Sequence, residues 1–424
     1  MTEKIVGLYA DAKAVARNPE YLDQLQSKIG LNRIIYGGGF NLSEKTRALN
    51  PSTGGFAPGL TLVDDDLPIR KAIEEAHRRG IQVWGCISLY WAGAEHAPDL
   101  MAYDLYDKRL DEYPLRKYAH EQGSMTFCPS NERINAWYEA ALVEIARNYE
   151  FDGYALTHAR YCHPAFFEQM LSCGCPICQQ KASELDYDFV KMKAAVLDAV
   201  KKIKKLTASQ VRTFLKSSLG IFDILQISGK DFAGIVDWFN FRADVISQNF
   251  MRFNKSVHAV RPNFLFGSDS HYPGMALLVG HRYSDLASTC DQILPLLSHN
   301  EIHYMDNIAS LAYILTQWIE DLEEKDAVSL VYRLFGIDYP SMPKTIQEMH
   351  LGDPPSAEPR LEALEDIIAG EMYRARLMSG PKIPSYPVIK GTIWPEKTVR
   401  SLMQTALDAG HDGIVLQGTD SLFK

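Results

Sequence analysis

The sequence predicts an α/β protein of the (β/α)8 TIM-barrel class, with long insertions after the fourth and sixth strands. Three observations predict it. Eight short apolar runs recur along the 424 residues, and amphipathic stretches separate them. Several runs are apolar at consecutive positions, as parallel strands buried on both faces require. Alternation of strand and helix implies parallel βαβ units, and eight units imply a closed barrel.

The strand candidates in chain order are Ile5 to Tyr9, Arg33 to Tyr36, Gln82 to Ser88, Gly153 to Thr157, Phe264 to Ser268, Gln292 to Leu297, Val388 to Thr392 and Gly413 to Gln417. Helices fill the gaps. Pro68 to Arg79 opens with Pro after the acidic run Asp64 to Asp66 and stops at Gly80, matching the usual start and stop signals. Glu132 to Asn148 follows a Ser130 cap, and Trp394 to Ala409 precedes Gly410 and the last strand.

Two connections exceed what a minimal barrel needs. Residues 158–263 carry a cysteine cluster and the lysine-rich DAVKKIKKL, and residues 300–385 contain the Pro-rich GDPPSAEP. Both follow the C-terminal end of a strand, where barrel enzymes elaborate their active-site rim. The last strand ends seven residues before the terminus, so the expectation is one barrel domain over 1–424 with no separate C-terminal domain.

Composition narrows the function. With 46% hydrophobic and 23% charged residues the chain is an ordinary globular protein, and a net charge of −9 gives no support to nucleic-acid binding. No apolar run approaches the roughly 20 residues of a membrane span. The start, MTEKIVGLYADAK, has no apolar signal core. A cytoplasmic protein is expected, in which clustered thiols bind metal more often than they form lasting disulfides. The sequence says nothing of the oligomeric state.

Three of the seven cysteines, Cys173, Cys175 and Cys178, form CxCxxC just after the fourth strand. Thiolates at that spacing reach one tetrahedral ion from a tight turn. By residue type alone the fourth ligand is Cys128, in MTFCPSN, or Cys162 or His163, in RYCHP. Cys86 and Cys290 lie in or beside core segments and read as small buried hydrophobes.

The stretch MTFCPSNERINAWYEAALVEIARNYEFDGYALT, followed by CGCPIC, resembles glycoside hydrolase family 42, the zinc-containing β-galactosidase barrels. The resemblance implies a structural zinc held by Cys128, Cys173, Cys175 and Cys178, and a carbohydrate substrate. It stops at the chemistry. Where that family carries an Asn-Glu pair after the fourth strand, this chain has His158 and Ala159; where it carries a nucleophilic Glu on the seventh, VIKGTIW offers Lys390. A retaining mechanism needs two carboxylates about 5 Å apart, so that route is excluded. A looser resemblance, to other barrels of the glycoside hydrolase superfamily, rests on FDGYALTHARY, CGCPIC, TCDQILPLLSH and AGHDGIVLQG, with Thr157 in place of the usual Asp.

Candidate site residues therefore come from the C-terminal ends of the strands. Asp269, His158, Asp11 and Asp306 are the candidate catalytic groups. Arg160, Tyr161, His271, His299, Lys390, Tyr90 and Trp91 are candidate substrate contacts, with Tyr9 and His303 nearby. Aromatic faces that stack on sugar rings, beside charged groups that grip hydroxyls, are what a carbohydrate site needs. Three classes follow: a glycoside hydrolase with non-standard catalytic residues, a sugar isomerase, epimerase or lyase using a His/Asp site or a divalent metal, and a sugar-binding barrel without catalysis.

Overall fold

The computed structural model describes residues 4–91, 95–114, 116–118, 127–162, 164, 167–217, 223, 226, 232–299, 304–349 and 361–422. Eight parallel strands form a nearly closed barrel: β1 (Ile5–Asp11), β2 (Arg33–Gly37), β3 (Gln82–Ser88), β4 (Gly153–Thr157), β5 (Leu265–Ser270), β6 (Gln292–Pro295), β7 (Val388–Lys390) and β8 (Gly413–Gln417). In space they run β6-β5-β4-β3-β2-β1-β8-β7. The remaining seam, β6 to β7, is bridged at Ile293 with Ser385 and Leu296 with Val388, and the Leu297 amide donates to the Val388 carbonyl at 2.9 Å. All eight sequence expectations correspond to strands. β5 runs two residues further than expected, which puts Asp269 inside the strand, while β6 and β7 end two residues early.

Strand periodicity sorts the side chains into two faces. Ile35, Trp84, Ala155, Leu294, Tyr386, Val388 and Val415 form one buried cluster, with Ile5, Tyr9, Cys86 and Leu296 against it; this is the barrel interior. A larger cluster, from the opposite strand faces and the helices, packs outside. Trp84 takes up much of the interior because β4 and β5 present glycines to it. A Cβ on Gly153 or Gly267 would lie 3.0 or 3.1 Å from the indole ring.

At the floor of the interior lies a buried cation, Arg33 at the start of β2. Its Nε and Nη2 donate to Gln82 Oε1 at 3.1 and 2.9 Å, and its Nη1 to Gln292 Oε1 at 3.0 Å. The guanidinium lies 4.4 Å from the Trp84 ring and 4.6 Å from the Tyr386 ring. Burial pulls its proton affinity below the ordinary arginine value, and this polar and aromatic cage satisfies the charge.

A fourfold repeat runs around the N-terminal ends of the strands. The side chain before each even strand accepts from an amide of the preceding odd-strand segment: Asn32 from Val6 (2.9 Å), Asp152 from Val83 (2.7 Å), Asp291 from Phe266 (2.8 Å) and Asp412 from Ser385 (3.0 Å). The backbone amide of each clasp residue donates back to the same partner's carbonyl. Each aspartate also meets a basic side chain from the helix before the odd strand: His77 at 3.0 Å, His258 at 3.2 Å and Arg376 at 3.7 Å. Among the described residues no helix precedes β1, and there the clasp residue is the neutral Asn32.

The helices largely follow their sequence signals. Leu67–His77 starts with Pro in its first turn, and Glu132–Asn148 has the expected bounds. Its cap differs: Asn131 accepts from the Arg133 amide, while Ser130 contacts the Cys178 sulphur at 3.3 Å. Between β4 and β5 lie helices that include Pro176–Glu184, Phe189–Ile203, Ala208–Lys216 and the 29-residue Phe232–Val260. Between β6 and β7 lie Asp306–Trp318, Glu324–Leu334 and Leu361–Ser379. No helix among the described residues is long and apolar enough to cross a membrane.

Candidate active site and cysteine cluster

Alternation carries the interior pattern of each strand up to a polar layer at the C-terminal end. Tyr9 on β1, Ser88 on β3, Thr157 on β4, Asp269 on β5, Lys390 on β7 and Gln417 on β8 share the parity of the interior residues below them. Asp269 is 6% exposed and Lys390 8%. β1 and β5 stand four strands apart in either direction, so they face each other across the lumen. The Tyr9 hydroxyl donates to Asp269 Oδ1 at 2.5 Å, and the pair closes the barrel interior from above.

Burial dominates the electrostatics of this pair. It pushes the Asp269 carboxyl up to about 7, against the hydrogen bonds from Tyr9 and Thr157 and the positive charge of Arg160. Burial and the neighbouring carboxylate raise the Tyr9 phenol well above its ordinary value, so Tyr9 remains a hydrogen-bond donor. The Cys86 thiol, in the same layer, is also pushed up by burial and by Asp269.

The end of β4 turns sharply at His158, whose φ is 55°. The turn brings His158 Nδ1 within 2.8 Å of Ser88 Oγ and 3.3 Å of Thr157 Oγ1, and sets its ring 4.2 Å from that of Trp91. Arg160 follows, buried, with its amide on the His158 carbonyl at 2.8 Å and Nη1 on the Tyr161 carbonyl at 3.3 Å. On the far side, Lys390 lies in register with Gln417, and its Nζ is 5.8 Å from the Trp394 ring. Gln417 Oε1 accepts from Ser298 Oγ at 2.6 Å, and Ser298 Oγ is 3.1 Å from His299 Nδ1. His271 is buried just beyond β5.

Other candidates are placed differently. Asp11 is exposed and caps the helix Ala12–Arg17, its carboxylate accepting from the Lys13 amide at 2.8 Å. Tyr90 is a core residue: its hydroxyl donates to Asn135 at 2.8 Å and accepts from Asn249 at 2.8 Å. Tyr161 is buried, with the Arg242 guanidinium over its ring at 4.6 Å. Asp306 is buried as the first residue of its helix. His163 and His303 lie outside the described residues.

Ser88, Thr157 and Gln417 line this polar layer and His281 lies behind it; motif reading passes over Ser88, Gln417 and His281, and meets Thr157 only as the replacement for an Asp. Ser88, Thr157 and Gln417 are recoverable from strand parity alone. His281 carries no such signal, since it sits in an irregular segment after β5. Glu371, on the helix before β7, is a fully buried carboxylate that accepts from the Gly274 amide at 2.8 Å and from Arg374 Nη1 at 3.1 Å. It anchors the loop that follows β5.

The cysteines gather as one group. The sulphurs of Cys128, Cys173, Cys175 and Cys178 all lie within 4.8 Å of one another, and all four residues are buried. Cys128 Sγ is 3.5 Å from Cys175 Sγ and 3.4 Å from Cys178 Sγ, close to the ~3.8 Å separation that four Zn–S bonds of about 2.3 Å impose. The fourth member is Cys128 and not Cys162, which is buried elsewhere. None of the seven cysteines forms a disulfide. The donor set fits a metal ion, and buried Arg242 lies where its charge is felt by Cys173 and Cys178, as an anionic tetrathiolate requires. Among the described residues this is the single His, Cys, Asp or Glu group able to hold a metal; the mouth histidines and Asp269 form none.

No known family profile matches the chain, and neither does any curated protein. Solved structures do. The glycoside hydrolase domain of PgaB (BpsB) from Bordetella bronchiseptica is 8% identical over 99% of this chain and 95% of its own, with a TM-score of 0.51. The β-galactosidase of the psychrophilic Marinomonas ef1 is 10% identical over 97% of this chain and 53% of its own, with a TM-score of 0.51. That of the Antarctic haloarchaeon Halorubrum lacusprofundi is 12% identical over 97% and 52%, with a TM-score of 0.50. The chain spans about half the length of these β-galactosidases. At such identities the likeness is one of fold, a barrel shared with glycoside hydrolases.

Proposed function

We propose that this chain is a carbohydrate-active enzyme, a glycoside hydrolase in which Asp269 is the general acid. One observation carries the reading: a carboxyl group on a rigid strand, at the barrel end where this fold does its chemistry, is buried so that it holds its proton up to about pH 7. A glycosidic oxygen is a poor leaving group until protonated, and an acid that is half-protonated near neutrality matches that task. The Trp91 ring, tilted against His158 at 4.2 Å, offers an aromatic surface for a sugar ring, and Arg160 a positive group for its hydroxyls. With Asp11 committed to a helix cap, we assign the base that activates water to Asp306, which implies inversion and a carboxylate spacing of about 6.5–9.5 Å in the working enzyme.

We further propose that the four cysteines hold a zinc ion. It would bear on folding and not on bond cleavage, because the donor set closes all four positions of a tetrahedral ion. Reduced thiols in this number suit a reducing compartment, consistent with a cytoplasmic protein.

The test is a panel of aryl glycosides and oligosaccharides assayed for release of reducing sugar. Wild type is expected to cleave at least one, and Asp269→Asn to lose at least ~100-fold in kcat with its fold intact, the lower range for removing a general acid. Conversion of free sugars without cleavage would replace the hydrolase by an isomerase or epimerase. Binding without turnover would leave a sugar-binding barrel.

A further inference from the structure

His281 lies behind the site, in the segment after β5, and is 1% exposed. Its imidazole joins two loops. Nδ1 accepts from the backbone amide of His271, two residues beyond Asp269, at 3.1 Å, and Nε2 meets the carbonyl of Ala159, the residue before Arg160, also at 3.1 Å. These partners dictate the tautomer. An amide can only donate, so Nδ1 is bare; a carbonyl can only accept, so Nε2 carries the hydrogen. An imidazolium would direct a second N–H at the His271 amide, and burial with the nearby Arg160 charge holds the ring neutral, lowering its pKa to about 3.

Neighbouring contacts tie the same segment to the same loop. The Tyr161 amide donates to the Val279 carbonyl at 3.0 Å, and Arg242 Nη1 to the Leu278 carbonyl at 2.8 Å. Gly280, at φ +79°, leaves room for Tyr161, whose ring a Cβ there would approach to 3.0 Å. The Tyr283 hydroxyl donates to the His271 carbonyl at 2.9 Å. Among these contacts only the His281 ring reaches both the backbone beside Arg160 and the backbone beside Asp269.

We propose that His281 is a positioning residue: as a neutral crosslink between the loops after β4 and β5, it fixes where Arg160 stands relative to the Asp269 carboxyl. Among the described residues, the groups that act on this carboxyl are Tyr9 from β1, Cys86 from β3, Thr157 from β4 and Arg160 from the loop after it. Of these, Arg160 is the one held by a loop and not by a strand. Its charge favours the carboxylate, so loosening it raises the proton affinity of Asp269.

The role of Asp269 as acid rests on the hydrolase reading; the placement of Arg160 does not. The experiment therefore reads Asp269 directly, as its carboxyl band in infrared difference spectra of the full chain against Asp269→Asn, titrated from pH 4 to 9. His281→Phe, which keeps a ring and removes both bonds, is expected to move the titration of Asp269 upward by ~1 unit. His281→Gln, which supplies an acceptor and a donor, is expected to titrate as wild type. Should His281→Phe fail to fold, His281→Asn carries the test, since its shorter amide serves His271 but falls short of Ala159. An unchanged midpoint in the folded Phe or Asn variant, or equal shifts in Gln and Phe, overturns the proposal. A shifted midpoint in a protein that cleaves no glycoside overturns the hydrolase reading instead and leaves this one standing.

Discussion

Tyr9 and Asp269, 260 residues apart, meet across the full width of the barrel at 2.5 Å. The bond joins opposite strands, so both ends are held by the sheet. It also favours the charged form of Asp269, in opposition to burial. Tyr9→Phe deletes it. The carboxyl pKa then rises above about 7, and for an acid that must be protonated the alkaline fall of the rate profile moves to higher pH by about one unit or more, the worth of a hydrogen bond to a charged group. Glycosidase rates over pH 5–10 check this; an unmoved limb would remove Tyr9 from the site.

The same carboxyl makes a prediction for stability. Folding raises it from 3.8 to about 7, so the native chain holds the proton more tightly than the unfolded one. Its favourable contribution is complete below about pH 4 and is lost as pH climbs to 7. Asp269→Asn, uncharged at every pH, is therefore expected to be more stable than wild type at pH 8 by a few kcal/mol, ~4 at most, and so to melt at a higher temperature, with the gap closing toward pH 4. Thermal melts at the two pH values decide it, and they require no substrate.

The cysteine cluster predicts one zinc per chain by elemental analysis after purification without added metal. Cys128→Ser is expected to lose the ion and to melt earlier, whereas Cys162→Ser keeps it, because Cys162 stands outside the group of four. Zinc retained in Cys128→Ser would reassign the ligand.

Arg33 offers a control below the site. Arg33→Ala opens a space beside Trp84 and strips the carbonyls of Gln82 and Gln292 of their donor, at a cost of about 3 kcal/mol or more in denaturant unfolding. The pH profile of turnover should stay where it is. A displaced profile would mean that the floor of the barrel communicates with its mouth.

The barrel is legible in the sequence because buried parallel strands are written as apolar runs, and all eight runs correspond to strands. The cysteine group is legible for a local reason, three thiols within six residues, with Cys128 supplied by a resemblance. The site is only half legible. Asp269, His158 and Arg160 can be placed by counting from strand ends, but the Tyr9–Asp269 bond depends on which strands face each other. Asp11, Tyr90 and Tyr161 resemble rim residues in one dimension, yet a helix cap and two core contacts claim them. His281 escapes notice because its meaning lies in two backbone partners, Ala159 and His271, that no motif contains.

The side chains of Asn32, Asp152, Asp291 and Asp412 each bind an even strand to the odd strand before it, whereas an even strand's foot meets the next odd strand through backbone bonds, Gln82 to Asn32, Leu265 to Asp152 and Ile5 to Asp412, and at β2 and β3 also through Arg33 and Gln82. The barrel is thus assembled from four two-stranded staves, each latched at its own foot. Opening the chain between staves, for instance in the connection from β2 to the helix Leu67–His77, leaves every side-chain latch closing a covalent hairpin of its own; opening it between β3 and β4 leaves the Val83–Asp152 latch to hold two strands with no covalent link between them. Circular permutants and split halves with their new ends between staves should accordingly reassemble, and those cut within a stave should not.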